Sequence, residues 1–281
     1  MDITWRLLDT SKHSAAMNMA IDEAMLLQQN PTPQPTLRFY DWAQPAFSFG
    51  YFQQITAEVD TELCTARNVE IVRRMTGGGT VIHGWDVTYT LIVPHGIEGM
   101  PKGISASYRF ISDALISGFR RLGIPAGRSP VSDSPRTAHE QRGGSSPEPN
   151  SCLAQPVQYD VMCNGKKIAG VSQRRNQIGV MYQGYIALDM PPPELLGLAS
   201  KQPEQGCILS EKSTAINIEH PTPIARKQLE EAVATGFEAE LGAELNPHPI
   251  WLAGELSHEE LDAAVTLAQT KYATAEWNFR R

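Results

Sequence analysis

No apolar run in this chain approaches the ~18 residues that span a bilayer. A membrane segment is therefore not expected. Nor is there a surplus of cations. Twenty-four Lys and Arg stand against 31 Asp and Glu, a net charge of -7, whereas binding to a phosphate backbone needs a cationic excess. That balance argues against a general nucleic-acid binder. Cysteine is scarce. Cys64, Cys152, Cys163 and Cys207 are too few and too scattered for a disulfide framework, and no two are spaced CxxC as a structural zinc site prefers. Four reduced thiols are expected. The seven histidines are isolated, with no HExxH pair, so no resident metal is expected. GxxxxGK[ST], GxGxxG and GxSxG are all missing, which excludes a P-loop, a dinucleotide fingerprint and a hydrolase nucleophile elbow. The opening Met1-Asp2-Ile3 has neither the basic start nor the apolar core of a signal peptide, so the expected location is cytoplasmic.

The 281 residues suffice for one large domain or two small ones. No internal repeat and no heptad is visible. Strands are predicted at Thr4–Asp9, Thr36–Asp41, Ala46–Tyr51, Glu70–Arg74 and Asp86–Val93 from their aromatic and β-branched content. A helix is predicted over Ser14–Gln28, with Met17, Ile21, Ala24 and Met25 as its apolar stripe and Asn18 and Asp22 sharing another face. A second runs from Ile104 to Leu122 and stops at Gly123. Pro125–Asn150 is rich in Pro, Ser, Gly and Arg and reads as a long mobile loop. Val157–Cys163 and Lys166–Gln173 flank Asn164-Gly165, a type I′ hairpin signal. A strand at Gly184–Asp189 follows, then helices at Pro193–Ser200, Pro223–Leu241 and Ser257–Ala273, with Ser257 and Glu260 as a capping box. The sum is an α/β (α+β) protein with a mixed sheet of six or more strands packed by helices. Its hairpins argue against a doubly wound parallel fold.

The segment Arg73-Arg74-Met75-Thr76-Gly77-Gly78-Gly79 stands out. Three glycines between strands let a ligand approach backbone amides closely, and two arginines can hold an anion. The plain alternative is a tight turn with a solvated Arg pair. His83 follows the loop and reads either as a ligand contact or as a satisfied structural histidine. Cys152 ends the mobile loop, a place where a thiol can meet substrate; the alternative is a small buried hydrophobe. Lys167 lies on the second hairpin arm. An ammonium near Cys152 would favour the thiolate, and the alternative is a solvent-facing lysine beside Lys166.

Taken together and in order, these residues resemble the lipoate/biotin protein-ligase superfamily. Arg73–His83 followed by Asp86-Val87-Thr88-Tyr89 looks like its "RRxTGGGxVxH…TY" signature. Asn18-Met19-Ala20-Ile21-Asp22-Glu23 resembles its first-helix motif, and Arg38–Trp42 with Ser48–Gln53 its "RFYxW…SxGYxQ" block. Tyr159-Asp160 with Gly165–Arg174 resembles "YD…GKKIAGxAQxR", and Lys271–Asn278 the "KYxxxEWN" end. The resemblance implies a class II aminoacyl-tRNA synthetase/biotin synthetase-like catalytic domain over residues 1–281, acting as a monomer.

Three activities share that scaffold: ATP-dependent lipoate ligation, octanoyl transfer from acyl carrier protein, and amidotransfer between lipoyl domains. Ser151-Cys152 before the "YD…GKK" block resembles the cysteine-dependent octanoyltransferases, and the chain stops soon after "EWN". That resemblance implies an acyltransferase in which Cys152 carries the acyl group and Lys167 assists it. Arg73, Arg74, Thr76, Gly77, Gly78, Gly79, His83 and Gly170 would bind substrate. Acyl carrier protein would be the donor and a lipoyl domain, such as the glycine cleavage H protein, the acceptor. No cofactor is implied, whereas the ligase alternative requires ATP and Mg²⁺. Gly79 stands where transferases often have Arg, Gln183 where the family often has His, and Leu153 where Phe is common after the Cys. A lipoyl-domain or acyl-chain binding protein without chemistry is the non-enzyme alternative, and a biotin ligase is disfavoured because "GRGRxGR" is absent.

Overall fold

The structure, a computed structural model, describes residues 4–29, 34–97, 100–129, 159–201, 204–244 and 250–280. In chain order the elements are β1 (Thr4–His13), α1 (Ala15–Leu27), β2 (Thr36–Trp42), β3 (Ala46–Phe49), α2 (Ile55–Glu58), α3 (Thr61–Ala66), β4 (Glu70–Arg73), β5 (Val81–His83) and β6 (Asp86–Pro94). Then come α4 (Ile104–Arg121), β7 (Ala126–Arg128), β8 (Val161–Cys163), β9 (Lys166–Arg175), β10 (Gly179–Ala187), α5 (Pro193–Leu198), α6 (Glu204–Lys212) and α7 (Ile216–Glu219). The last are α8 (Arg226–Glu244), β11 (Ile250–Ala253), α9 (His258–Leu267), which runs on as a π-helical turn over Ala268–Tyr272, and α10 (Ala275–Asn278).

Eight strands form one sheet in the order β11-β1-β2-β6-β10-β9-β8-β7. β1 is parallel to β2 and β11, and every other pairing is antiparallel. Alternation sends successive side chains to opposite faces. Phe39, Tyr89 and Leu91 therefore pack with α4 and α8 on one face, while Tyr40, Ile92 and Met181 pack with α1 and α9 on the other. The central strands β6 and β10 are covered on both faces, so their polar residues Asp86, Thr88, Thr90 and Gln183 are buried along with the apolar ones. β3, β4 and β5 form a separate three-stranded sheet, closed by a third apolar cluster that includes Phe47, Phe49, Ile55, Cys64, Leu196 and Leu209. No helix of the described residues is long and apolar enough to cross a membrane.

The expected mixed, largely antiparallel sheet with helices is the observed one. Asn164 and Gly165 both have positive φ, as a type I′ turn demands, and Ser257 and Glu260 form the capping box. Three differences are informative. Ala126–Arg128, expected within the loop from Pro125, pairs with β8 as a short edge strand; residues 130–150 of that expected loop lie outside the described residues. The strand expected at Gly184 starts at Gly179, where Asn176 Oδ1 accepts from the amides of Ile178 and Gly179 and turns the chain. The strands expected at Ala46 and Glu70 leave the main sheet for the smaller one.

Candidate active site

α1 is capped by Ser14, whose hydroxyl accepts from the Met17 amide, and its buried side carries Asn18, Asp22 and Glu23 among apolar residues such as Met19, Ile21 and Met25. Asp22 is fully buried. Its Oδ1 accepts from Arg38 Nη1 at 2.6 Å, and its Oδ2 accepts from Tyr40 Oη, Thr90 Oγ1 and Gln183 Nε2 at 3.1, 2.8 and 2.7 Å. Arg38 Nη2 also donates to Asn18 Oδ1. A buried charge pair persists only when its remaining hydrogen-bonding capacity is filled, and here four donors surround one carboxylate. Burial, with the charge of Asp22 adding, pushes the Tyr40 hydroxyl well above its usual range. Gln183 extends the network: its Oε1 accepts from Thr76 Oγ1, which accepts from Ser172 Oγ. Thr76 thus ties the glycine loop to the helix α1 network.

Thr76–Gly79 connects β4 to β5. Arg74 folds back under the loop, with Nη2 donating to the carbonyls of Gly77 and Gly79 and Nη1 to both the carbonyl and hydroxyl of Ser48. Arg73 turns the other way. Its guanidinium donates to the carbonyls of Gly50, Tyr51 and Gln53 and to that of Asn278. Both guanidiniums hold the protein's own main chain, so Arg74 is joined to the glycine loop as a brace and Arg73 stands apart from it. Sequence spacing alone does not separate an anion-binding Arg pair from one satisfied by carbonyls.

His83 is buried and bonded at both nitrogens: Nε2 lies 2.6 Å from Ser48 Oγ and Nδ1 2.8 Å from Asp86 Oδ2. Its ring stacks on Trp42 at 3.9 Å between centroids. Arg74 can only donate, so Ser48 Oγ accepts from it while also meeting His83 Nε2. Asp86 also accepts from Thr88 Oγ1 and the Gly84 amide. Burial pushes the Asp86 carboxyl up, but the charge and hydrogen bond of His83 and the other two bonds outweigh it and hold the group below its ordinary value. The Ser48–His83–Asp86 line has the connectivity of a nucleophilic triad. Ser48 is 0% exposed, however, and its hydroxyl is taken up by Arg74 and His83. The line is a rigid support for the loop.

Lys167 is buried on β9, its Nζ 2.8 Å from Asp160 Oδ2. It reaches a cleft whose walls include Ile82, Asp86, Tyr185, Asp189 and Thr214. Gly170 faces the lysine tip: a Cβ there would lie 3.0 Å from Lys167 Cε and Nζ. Ile82 and Asp86, one on each side of His83, bring the His83 line to the same cleft as Lys167.

Cys152, the expected nucleophile, lies outside the described residues. Of the other thiols, burial pushes Cys64 up to about 11, helped by the charge of Asp60, and Cys163 up to about 11, helped by Glu219. Both are therefore protonated and unreactive at neutral pH. Among the described residues, no group of three or more His, Cys, Asp or Glu could hold a metal ion. Sequence reading overlooked Asp160 and Ser48 as individual contributors. Each sits within a recognised motif block, but only the fold pairs them with Lys167 and His83.

Residues 14–238 match the family described as the lipoyl protein ligase A/B catalytic domain. Among curated proteins the chain is 38% identical to "Octanoyltransferase LipM" of Kyrpidia tusciae and 35% identical to that of Bacillus subtilis, each alignment covering 99% of both chains. Among solved structures it is similar to lipoate-protein ligase A bound with ATP (TM-score 0.77, 22% identity, 98% of each chain). It is also similar to the bipartite lipoate protein ligase of Thermoplasma acidophilum (TM-score 0.78, 21% identity, 99% of this chain and 96% of that one). At such identities the solved structures speak for the fold alone.

Proposed function

Because the chain belongs to the lipoyl protein ligase A/B catalytic-domain family, we propose that it is an octanoyltransferase of protein lipoylation, moving an octanoyl chain from acyl carrier protein to a lipoyl-domain lysine. The observation that carries this reading is the 32–38% identity, over essentially the whole chain, to proteins named for that activity. The buried Lys167 at the cleft supports it.

In this reading Cys152 attacks the thioester carbonyl of the donor. The S–C bond to the carrier breaks, the carrier thiol leaves with a proton, and the octanoyl group stays on Cys152 as a thioester. The neutral ε-amine of the acceptor then attacks the same carbon. An amide forms, Cys152 regains its thiolate, and the amine proton is released. Lys167 supplies positive charge for the thiolate and for the oxygen that becomes negative in each tetrahedral intermediate. The glycine loop, shaped by Arg74 and Thr76, and His83 with its Asp86 support frame the acyl head group. Thioester exchange is nearly neutral and thioester to amide runs downhill, so neither ATP nor a metal is required. A cytoplasmic location is part of this reading.

The test is transfer without ATP from octanoyl-acyl carrier protein to an apo lipoyl domain. A hydroxylamine-labile octanoyl adduct on the wild-type enzyme, absent in Cys152→Ala, is the expected mass-spectrometric result. Full activity of Cys152→Ala with free lipoate and ATP would replace this reading with the ligase one.

A further inference from the structure

We propose that Asp160 is the positioning residue for Lys167, and that position 170 is glycine so that the lysine tip can stay where Asp160 holds it. The proposal rests on the reading above, in which Lys167 charges the acyl-transfer site. It adds the residue through which that charge is fixed in space.

Lysine has a long flexible stem and a strongly hydrated head, and left to itself it carries that head to water. Lys167 does the opposite. It is 2% exposed, and so is its pairing carboxylate at 3%. An ammonium buried this deeply needs an opposite charge at hydrogen-bonding distance, and Asp160 Oδ2 provides it at 2.8 Å.

The backbone places both residues firmly. The Asp160 carbonyl accepts from the Ser129 amide, fixing it from the β7 side. The Lys167 carbonyl accepts from the Thr214 amide, fixing it from the opposite side, where Lys167 also bridges Ser213. Between them, the Asn164-Gly165 turn and a register shift between Val161 and Met162 set how β8 meets β9. Extra residues at such shifts re-aim side chains. Gly170 removes the remaining obstacle, since a Cβ would press on Lys167 Cε and Nζ at 3.0 Å and on the Tyr185 ring at 3.2 Å.

Lys167 lines the cleft, and Asp160 is not among the cleft's lining residues. In this proposal Asp160 acts through the lysine. Asp86, the other buried carboxylate beside the cleft, is committed to His83, Thr88 and the Gly84 amide.

The experiment uses the full chain, with Asp160→Asn (same shape, no charge), Asp160→Glu (charge kept) and Gly170→Ala. One readout is kcat and KM for octanoyl transfer. The other needs no turnover: the rate at which limiting acetic anhydride labels Lys167, followed by peptide mass spectrometry. Asp160→Asn is expected to lower kcat about 100-fold, the loss typical of a misplaced catalytic group, with KM nearly unchanged. Its Lys167 is expected to label ~10-fold faster, because the reagent attacks neutral amine and the opposite charge is gone. Asp160→Glu should recover part of kcat. Wild-type kcat and labelling in Asp160→Asn would overturn the proposal while leaving octanoyl transfer intact. Faster labelling in the variant, with no octanoyl transfer by the wild type, would sink the functional reading and keep the pair. Should Asp160→Asn not fold, Gly170→Ala decides: lower kcat and faster Lys167 labelling support the proposal, and wild-type values for both overturn it.

Discussion

Gly50 and Gly78 meet so closely that a Cβ on Gly50 would lie 1.9 Å from the Gly78 carbonyl oxygen. The contact is backbone against backbone, so no rotamer can relieve it. Gly50→Ala must push the glycine loop away from β3. The expected cost is about 1–3 kcal/mol or more in stability, together with loss of octanoyl transfer. Urea denaturation and the ATP-free transfer assay would check the two separately; full activity at unchanged stability would contradict the packing described for the loop.

Asp22 and Arg38 form the charge pair at the centre of the molecule, both fully buried. Asp22→Ala leaves a guanidinium without its counter-charge in the interior. A loss of about 3–5 kcal/mol is expected, read as a lower denaturation midpoint. The doubly substituted Asp22→Ala, Arg38→Met protein should recover part of it, since removing both charges also removes the desolvation cost.

Asp86 predicts how stability changes in acid. Its folded carboxyl lies below the ordinary value of 3.8, so it binds a proton less readily than the unfolded chain does. Its contribution to stability is complete above 3.8 and is lost as the pH falls through the lower folded value. Asp86→Asn lacks that contribution. Its deficit against wild type should be greatest near neutrality and shrink as the pH drops below 3.8. Denaturation curves across that range would show it; a constant deficit would rule it out.

The thiols should differ in reactivity. Cys64 and Cys163, both pushed up to about 11, are expected to resist iodoacetamide at neutral pH in the folded protein and to react only on unfolding. Cys64→Ser and Cys163→Ser should retain octanoyl transfer. Loss of transfer in either variant without loss of fold would mean that the acyl group travels through another cysteine than Cys152.

Much of this was legible in sequence because local signals agreed with the fold. Asn164-Gly165 makes its turn wherever it occurs between strands, and the Ser257–Glu260 box is local. Asn18 and Asp22 are four apart on a helix and had to share a face, but that their face points inward, at Arg38, is a fact of the sheet. The site was legible as motifs and not as roles. Arg73 and Arg74 are adjacent and chemically identical, yet one clamps the C-terminal helix α10 and the other the glycine loop, because alternate positions at the end of β4 face opposite ways. Asp160 was overlooked because its partner is reached across a hairpin whose register slips.

The clamp on Arg73 has a consequence for the order of events during synthesis. Its backbone amide donates to Asn278 Oδ1 and its guanidinium to the Asn278 carbonyl, partners 205 positions downstream. Contacts this distant in sequence close late, after nearer ones have formed. A nascent chain in which β4 and the glycine loop have already emerged offers Arg73 the carbonyls of Gly50, Tyr51 and Gln53 but still lacks the Asn278 groups that hold its amide and guanidinium. The clamp on Arg73 is thus completed only when α10 leaves the ribosome, and a chain halted short of it keeps the upstream half of that clamp alone.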